Sequence, residues 1–414
     1  MPNKISIELF PAGNGDAILI DFGEQLMLID TGFTSTFRDH IKPRLQELHA
    51  VGRRLSLFVV THIDADHISG AISFIKENGP SNNPAIIGID EIWFNSYRHL
   101  VFEEKEQGVF EGETPAIDIT GGLESVETED EVRMVSYKQG STLGSQILKY
   151  KYNWNTRFEG GAVMANEPYK IALGNGLELT LLGPTQESLD AMSDHWYKYL
   201  KKIFSGSINE DAYFDDAFEL MMEEMRQNDL DNAAGVDLET LVSSGNDWVE
   251  TNAVPWENED NSPTNGSSII FLLEYKDKKL LFLGDAIPGR VQSQLEKLIS
   301  NADSPLQLDV LKVAHHGAWY NNSPDLISML RARYYLFSSN GLRHHHPHFE
   351  TMAWILKSHE VEADKTFVFN YKQGERLQDV DDHIIKEKYN YDVIWPDIDV
   401  WGNGKDGYIQ LTIT

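Results

Sequence analysis

At 414 residues the chain is long enough for one large domain or two ordinary ones, and 41% hydrophobic residues with plentiful Phe, Tyr and Trp exclude a disordered chain. The formal net charge of −30 disfavours broad, sequence-independent contact with nucleic acid or anionic lipid, which needs Lys and Arg to neutralise phosphate. No stretch approaches the roughly 18 uncharged apolar residues of a membrane span, and with no cysteine present disulfides, thiolate metal ligands and cysteine nucleophiles are excluded.

Residues 1–10 alternate polar and apolar side chains like a strand and lack the apolar run of a secretion signal, so a soluble, cytoplasmic protein without a membrane partner is expected. Strands are predicted at 5–10, 17–22 and 25–29, the last two joined by a tight turn at Gly23-Glu24. A helix with Phe37, Ile41, Leu45 and Leu48 on one side follows, then a buried strand at 55–60 and a helix at 68–76 opening just after Asp66-His67. From 96 to 164 the pattern weakens, with many Glu, Gly and Ser and no long periodic segment, which reads as an insertion. A strand at 177–182 precedes helical stretches at 188–204 and 214–225. With the acidic run through Asp260 these make a second, partly helical insertion over 187–260, a solvated acidic face that also offers a surface for a protein partner.

The β/α rhythm then resumes. Strands are predicted at 268–275, 279–283, 310–314, 334–338, 367–371, 393–395 and 408–413, with helices at 291–299, 324–332 and 352–359. Hairpins alternating with helix crossovers predict an α/β (α+β) fold of two mixed sheets flanked by helices, in one domain spanning 1–414 with the two insertions.

The chemistry concentrates at Val59-Val60-Thr61-His62-Ile63-Asp64-Ala65-Asp66-His67, where a hydrophobic strand empties four metal-capable side chains into the turn before a helix. Packed carboxylates repel and are costly to desolvate, so metal binding is the simplest explanation. This His-x-Asp-x-Asp-His signature resembles that of the metallo-β-lactamase superfamily. Asp64, where most members carry His, is similar to the branch containing the hydrolase domain of the competence channel ComEC and its free-standing soluble relatives. The likeness continues in order: Asn14-Gly15-Asp16-Ala17, Leu28-Ile29-Asp30-Thr31-Gly32, Asn265-Gly266-Ser267-Ser268, Leu283-Gly284-Asp285-Ala286, Lys312-Val313-Ala314-His315-His316-Gly317 and His346-Pro347.

The resemblance implies a four-layer αββα sandwich holding two divalent metal ions, zinc or manganese. By position, His62 and Asp64 would ligate the first ion and Asp66 and His67 the second. Asp285 would bridge, and His315 would complete the second site. It implies hydrolysis by water activated between the ions, with Asp66 and His346 taking part in the reaction and His346 binding substrate or donating a proton to the leaving group. Asp30, Asp16, Asn265, Ser268 and His316 would support the ligands or face substrate. Arg157 and Lys312 are candidate cations for a phosphate, and the neighbouring His344, His345 and His348 read as surface residues. Asp64, Asn265 and Ser268 in place of histidines shift the first site from zinc toward harder ions such as manganese or magnesium. A phosphodiester, in a small phosphoester or at a nucleic-acid end, is the expected substrate. A lactone or thioester hydrolase of the same superfamily is one alternative, and a regulatory protein that uses the fold to bind a partner is another.

Overall fold

The computed structural model describes residues 4–100, 129–203, 247–299, 304–358, 364–400, 402 and 407–414. Strands β1 (Ile5–Leu9), β2 (Ile18–Asp21), β3 (Leu26–Ile29), β4 (Leu57–Val59) and β5 (Ile92–Trp93) form one sheet with the last strand, β14 (Ile409–Ile413), in the order β14-β1-β2-β3-β4-β5. The other sheet contains β6 (Tyr169–Gly174), β7 (Leu177–Gly183), β8 (Ile270–Tyr275), β9 (Lys278–Phe282), β10 (Leu306–Lys312), β11 (Leu330–Phe337), β12 (Lys365–Phe369) and β13 (Tyr391–Ile394), side by side in reverse chain order.

Strand periodicity explains the layering. Side chains alternate across a strand, and both faces here are apolar. Ile18 and Ile20 of β2, Met27 and Ile29 of β3, Phe271 and Leu273 of β8 and Leu280 and Phe282 of β9 enter one shared cluster between the sheets. Leu19, Leu26 and Leu28 turn outward to a cluster with the helix residues Phe37, Leu45, Ile68 and Phe74. Ile270, Leu272 and Leu281 turn to another with Val291, Leu295, Met352 and Ile355. Strands that bury both faces lose polar alternation, and the outcome is helices, sheet, sheet, helices: the expected αββα sandwich.

The helices of the first outer layer are α1 (Lys42–Ala50), α2 (Ala65–Asn78), α3 (Glu129–Lys149) and α4 (Gln186–Ile203); those of the second include α5 (Pro288–Leu298) and α6 (Phe349–Lys357). α1 continues from short helical turns at Thr34–Thr36 and Phe37–Ile41, in line with the predicted helix. α2 starts three residues before its predicted start and takes Asp66 and His67 into its first turn, where the Asp64 carbonyl accepts from the His67 and Ile68 N–H groups at 2.9 and 3.1 Å.

Three expectations need correction. The stretch read as lacking a long element contains the 21-residue α3. Its described buried positions are Ser136, Tyr137 and the run 140–147, where Gly, Ser and Thr outnumber the apolar Leu143 and Ile147, so close packing of small residues dilutes the apolar stripe that betrays a helix. A Cβ on Gly140 would lie 2.5 Å from the Trp196 ring and 3.0 Å from Ile63 Cγ2, which is why the helix needs glycine there. The helix predicted at 324–332 stops at Ser328, and β11 runs from Leu330, because Leu330, Ala332 and Tyr335 are needed in the second outer cluster. The edge strand β6 was missed because four of its six residues are exposed and its sequence has no clear alternation. The helix expected at 214–225, with most of the acidic run expected to be a partner surface, lies outside the described residues. Among the described residues no helix is long and apolar enough to cross a membrane.

Parallel pairing positions the functional loops. β3 pairs with β4 in parallel, Ile29 opposite Val59, so Asp30 and the Thr61–His67 turn leave the same sheet edge. β9 pairs with β10 in parallel, Phe282 opposite Lys312, so Asp285 and the His315–His316 turn leave the corresponding edge of the second sheet. The carboxyl ends of these strands converge, which is where open parallel sheets place their sites.

Candidate metal centre

Four histidines point the same ring nitrogen at one carboxylate oxygen. The distances to Asp285 Oδ2 are 3.4 Å from His67 Nε2, 3.4 Å from His316 Nε2, 3.5 Å from His315 Nε2 and 3.8 Å from His62 Nε2. His62 Nε2 also lies 3.6 Å from Asp64 Oδ2, His316 Nε2 lies 3.6 Å from Asp66 Oδ2, and His67 Nε2 is 3.4 Å from His316 Nε2. These separations exceed an ordinary hydrogen bond. Donors about 2.1 Å from a shared tetrahedral ion lie about 3.4 Å from one another, which is the spacing found.

The opposite nitrogen of each ring is occupied. His67 Nδ1 donates to Asp30 Oδ2 at 2.8 Å, and His316 Nδ1 donates to Asp16 Oδ1 at 3.2 Å, since an ionised carboxylate can only accept. Thr61 Oγ1 gives its proton to Asp30 Oδ2 at 2.6 Å, so at 3.0 Å it accepts from His62 Nδ1. His315 Nδ1 lies 2.8 Å from Asn321 Oδ1, whose amide nitrogen is committed to Asp260 Oδ2 and the Asp285 carbonyl at 2.8 and 3.1 Å. Every Nδ1 therefore carries a proton, and Nε2 is the nitrogen that each ring turns to the centre. His62 Nε2 and Asp285 Oδ1 are buried with no hydrogen-bond partner among the described residues. A cation at the centre satisfies both, so the donor set fits divalent metal.

The comparisons agree with this geometry. Residues 10–139 match the Metallo-beta-lactamase superfamily. Over those residues the chain is similar to that superfamily. It is similar to Competence protein ComA of Neisseria gonorrhoeae, 26% identical over 233 residues, covering 50% of this chain and 32% of the relative. It is also similar to ComE operon protein 3 of Bacillus subtilis, 26% identical over 108 residues, covering 26% of this chain and 13% of the relative. The chain thus matches a third or less of the length of either. The family match reaches Asp16, Asp30 and the His62–His67 turn, and the fold brings Asp285 and the His315–His316 turn to them. The fold thus gathers a buried His/Asp cluster that could hold a metal ion.

The backbone beneath the centre is tight. His315 and His316 are consecutive non-glycine residues in the left-handed region, at φ 45° and 56°, and Asp30 has φ 51°, strain of the kind that gathers at functional sites. A Cβ on Gly15 would fall 1.8 Å from the Asp66 carbonyl oxygen, so only glycine lets the Asn14–Asp16 turn reach the metal loop. From that turn Asn14 Nδ2 donates to Asp66 Oδ2 at 2.7 Å.

Electrostatics follow from the crowding. Burial would push the Asp285 carboxyl up, but His316, His315 and His67 outweigh it and hold it well below the usual carboxylate range. Burial would lower His316, yet Asp285 and Asp16 push it up to about 9, and Asp285 and Asp30 raise His67 in the same way. His346 moves the other way. Burial and the charge of His315 and His316 drive it far below the usual histidine value, so it stays neutral.

The remaining expected residues take these places. Asp16, Asp30, His62, His67, Asn265, Ser268, Asp285, His316 and His346 are buried, and Asp64, Asp66 and His315 are half-buried. Asp64 accepts from Ser136 Oγ of α3 at 3.0 Å and from Thr264 Oγ1 at 3.2 Å. Ser268 Oγ accepts from the Asp285 N–H at 3.2 Å and so orients that loop. Asn265 Nδ2 donates to Asp260 Oδ2 at 2.6 Å, and its Oδ1 is buried without a partner. The His346 ring stands 5.3 Å from that of His315, and its Nδ1 is also without a partner.

The two candidate substrate cations are not placed for that role. Arg157 is held by Glu91 at 2.9 Å and by the Ala172 carbonyl, while Lys312 is buried against Asp16 at 2.7 Å. Nor is His348 a bare surface residue, since its Nδ1 accepts from the Trp319 N–H at 3.0 Å. Sequence reasoning missed Thr61, Ser136, Asp260, Thr264 and Asn321. Thr61 sits inside the quoted motif, where a hydroxyl beside a ligand-type histidine was a usable signal; the others carry no local signature.

Proposed function

We propose that this chain is a metal-dependent hydrolase of phosphodiesters, acting on a nucleotide or a nucleic-acid end. The convergence of four Nε2 atoms on Asp285 Oδ2, with two buried atoms left unpaired, carries the reading. Asp66, His67 and His316 would hold one ion and His62 and Asp64, with His315 beside them, the other, Asp285 lying between. The sequence reading gave the last place at the second ion to His315; we assign it to His316, because His316 Nε2 lies 3.6 Å from Asp66 Oδ2 and 3.4 Å from His67 Nε2. When bound, two divalent ions activate water and neutralise the charge that develops on a phosphoryl group.

The chain's own residues supply the rest. Asp30, Thr61, Asp16 and Asn321 fix the four imidazoles, and His62, His67, His316 and Asp285 are buried while Asp64, Asp66 and His315 stay partly open to solvent. His346, kept neutral, serves as a hydrogen-bonding contact for substrate in preference to a standing proton donor. Asp64 and Asn265, oxygen-bearing where histidines are usual, favour hard ions suited to phosphoryl chemistry over lactone opening. The similarity to proteins named for competence supports a nucleic-acid end or nucleotide.

Purified protein is to be tested with bis(p-nitrophenyl) phosphate, a fluorescent lactone and labelled single-stranded DNA, each with manganese or zinc. Metal-dependent turnover of the diester without the lactone is expected. Lactone turnover alone overturns the substrate assignment. Turnover of none, with Asp285→Ala indistinguishable from wild type, points to a binding role.

The raised histidines give a pH signature. Metal-free, His316 and His67 are protonated at pH 7, and an ion can bind Nε2 only after the proton leaves. Metal uptake should therefore release protons, and affinity should fall as pH drops below about 9, the value to which His316 is raised. Titration calorimetry in buffers of different ionisation enthalpy measures this. Uptake at pH 7 with no proton release would contradict it.

A further inference from the structure

Lys312 closes β10 with its ammonium inside the protein, 1% exposed, where Nζ lies 2.7 Å from Asp16 Oδ2 and donates to the Val313 carbonyl at 3.0 Å. Burying such a pair is costly, and apolar residues of similar size commonly serve a core as well or better, so strand stability does not explain it. The second oxygen of Asp16 accepts from His316 Nδ1. The three side chains thus form a line from the core to the centre, ending on His316 Nε2, 3.4 Å from both His67 Nε2 and Asp285 Oδ2. Charge gives an independent argument. Asp16, Asp30, Asp64, Asp66 and Asp285 carry five negative charges around neutral imidazoles. Lys312 Nζ offsets part of this charge at Asp16, where it lies 2.7 Å from Oδ2. Asp30, the other carboxylate behind a histidine, is satisfied by the Thr61 N–H and hydroxyl at 2.7 and 2.6 Å, whereas Asp16 is backed by a full charge.

We propose that Lys312 is a positioning residue of the metal centre: it holds the Asp16 carboxylate in place and, through it, the one tautomer and orientation of His316 that present Nε2 to an ion. The inference rests on the metal-centre reading above. A partner that orients a metal-bound histidine typically accounts for about 10–100-fold in metal affinity.

The test compares wild type, Lys312→Met, Lys312→Arg and the double variant Lys312→Met/Asp16→Asn as full-length chains loaded with cobalt. Affinity is measured against a chromophoric chelator, the cobalt ligand-field spectrum is recorded, and folding is followed by circular dichroism. Lys312→Met is expected to bind one of two ions about 10–100-fold more weakly, with a shifted spectrum, and Lys312→Arg to recover most of both. The double variant removes both buried charges together and separates positioning from core stability. It should fold as wild type yet keep the weakened ion and altered spectrum, because an amide accepts from His316 less strongly than a carboxylate. If Lys312→Met does not fold, the double variant decides alone. Wild-type affinity and spectrum in the double variant, or in a folded Lys312→Met, overturn the proposal. A wild-type chain that binds no cobalt overturns the metal-centre reading instead.

Discussion

Replacing Asp285 by alanine should lower metal-dependent hydrolysis by at least about a thousandfold, equivalent to about 4 kcal/mol of transition-state stabilisation, and should leave less than one tightly held ion per chain. Its Oδ2 is the atom that all four histidines face, and its Oδ1 is buried without another partner. Without it the imidazoles lose the anion between them, and any ion they held would lose a ligand. Metal counting by mass spectrometry and initial rates on a diester give the two readouts. Two retained ions, or activity within tenfold of wild type, would remove Asp285 from the role assigned to it. The fold should survive, because the side chain makes no hydrogen bond that holds an element in place, and its backbone N–H keeps the Ser268 hydroxyl.

Asp30→Ala should act on stability as well as on metal. The carboxylate is fully buried and accepts from the Thr61 N–H at 2.7 Å, the Thr61 hydroxyl at 2.6 Å and His67 Nδ1 at 2.8 Å. Removing it strands three donors in the interior and costs about 3–5 kcal/mol, the range for breaking a buried charged network. It also frees the His67 ring to turn Nε2 away from the centre and loosens His62, which leans on the same threonine hydroxyl. Chemical denaturation of the metal-free protein should show the loss, and chelator competition a weakened ion. Asp30→Asn should fall between, since an amide can accept from one side but opposes a donor on the other. A loss of stability below about 1 kcal/mol would show that these bonds do not hold the loop together.

Much of the fold was legible because strands buried on both faces and helices with an apolar stripe leave strong periodic marks. That held for β1 to β4, for β8 to β10 and for β12. It failed for α3, whose packing face mixes Gly, Ser and Thr with Tyr137, Leu143 and Ile147 and so carries only a diluted stripe, although the helix supplies Ser136 to Asp64. It failed again at Leu330–Phe337, where apolar residues suit helix and strand alike and β10 and β12 on either side select the strand.

The identity of the centre was written locally. His62, Asp64, Asp66 and His67 fall within six residues at a strand-to-helix turn, and the side chains of so short a turn cannot disperse, so composition alone determined that acidic and imidazole groups would crowd together. Asp285 followed from the same logic at the end of β9. What only the tertiary structure decided was how these groups face one another. Two adjacent histidines in left-handed conformations send their rings in different directions, and which of them meets His67 depends on a chain segment about 250 residues away. Asp260 and Asn321 reach His315 through hydrogen bonds between loops that share no local pattern, and the pairing of Lys312 with Asp16 joins β10 to the turn before β2. Periodicity and motif report contacts made along the chain. Orientation at the centre comes from contacts across it, which the packing of two sheets sets and no short stretch of sequence encodes.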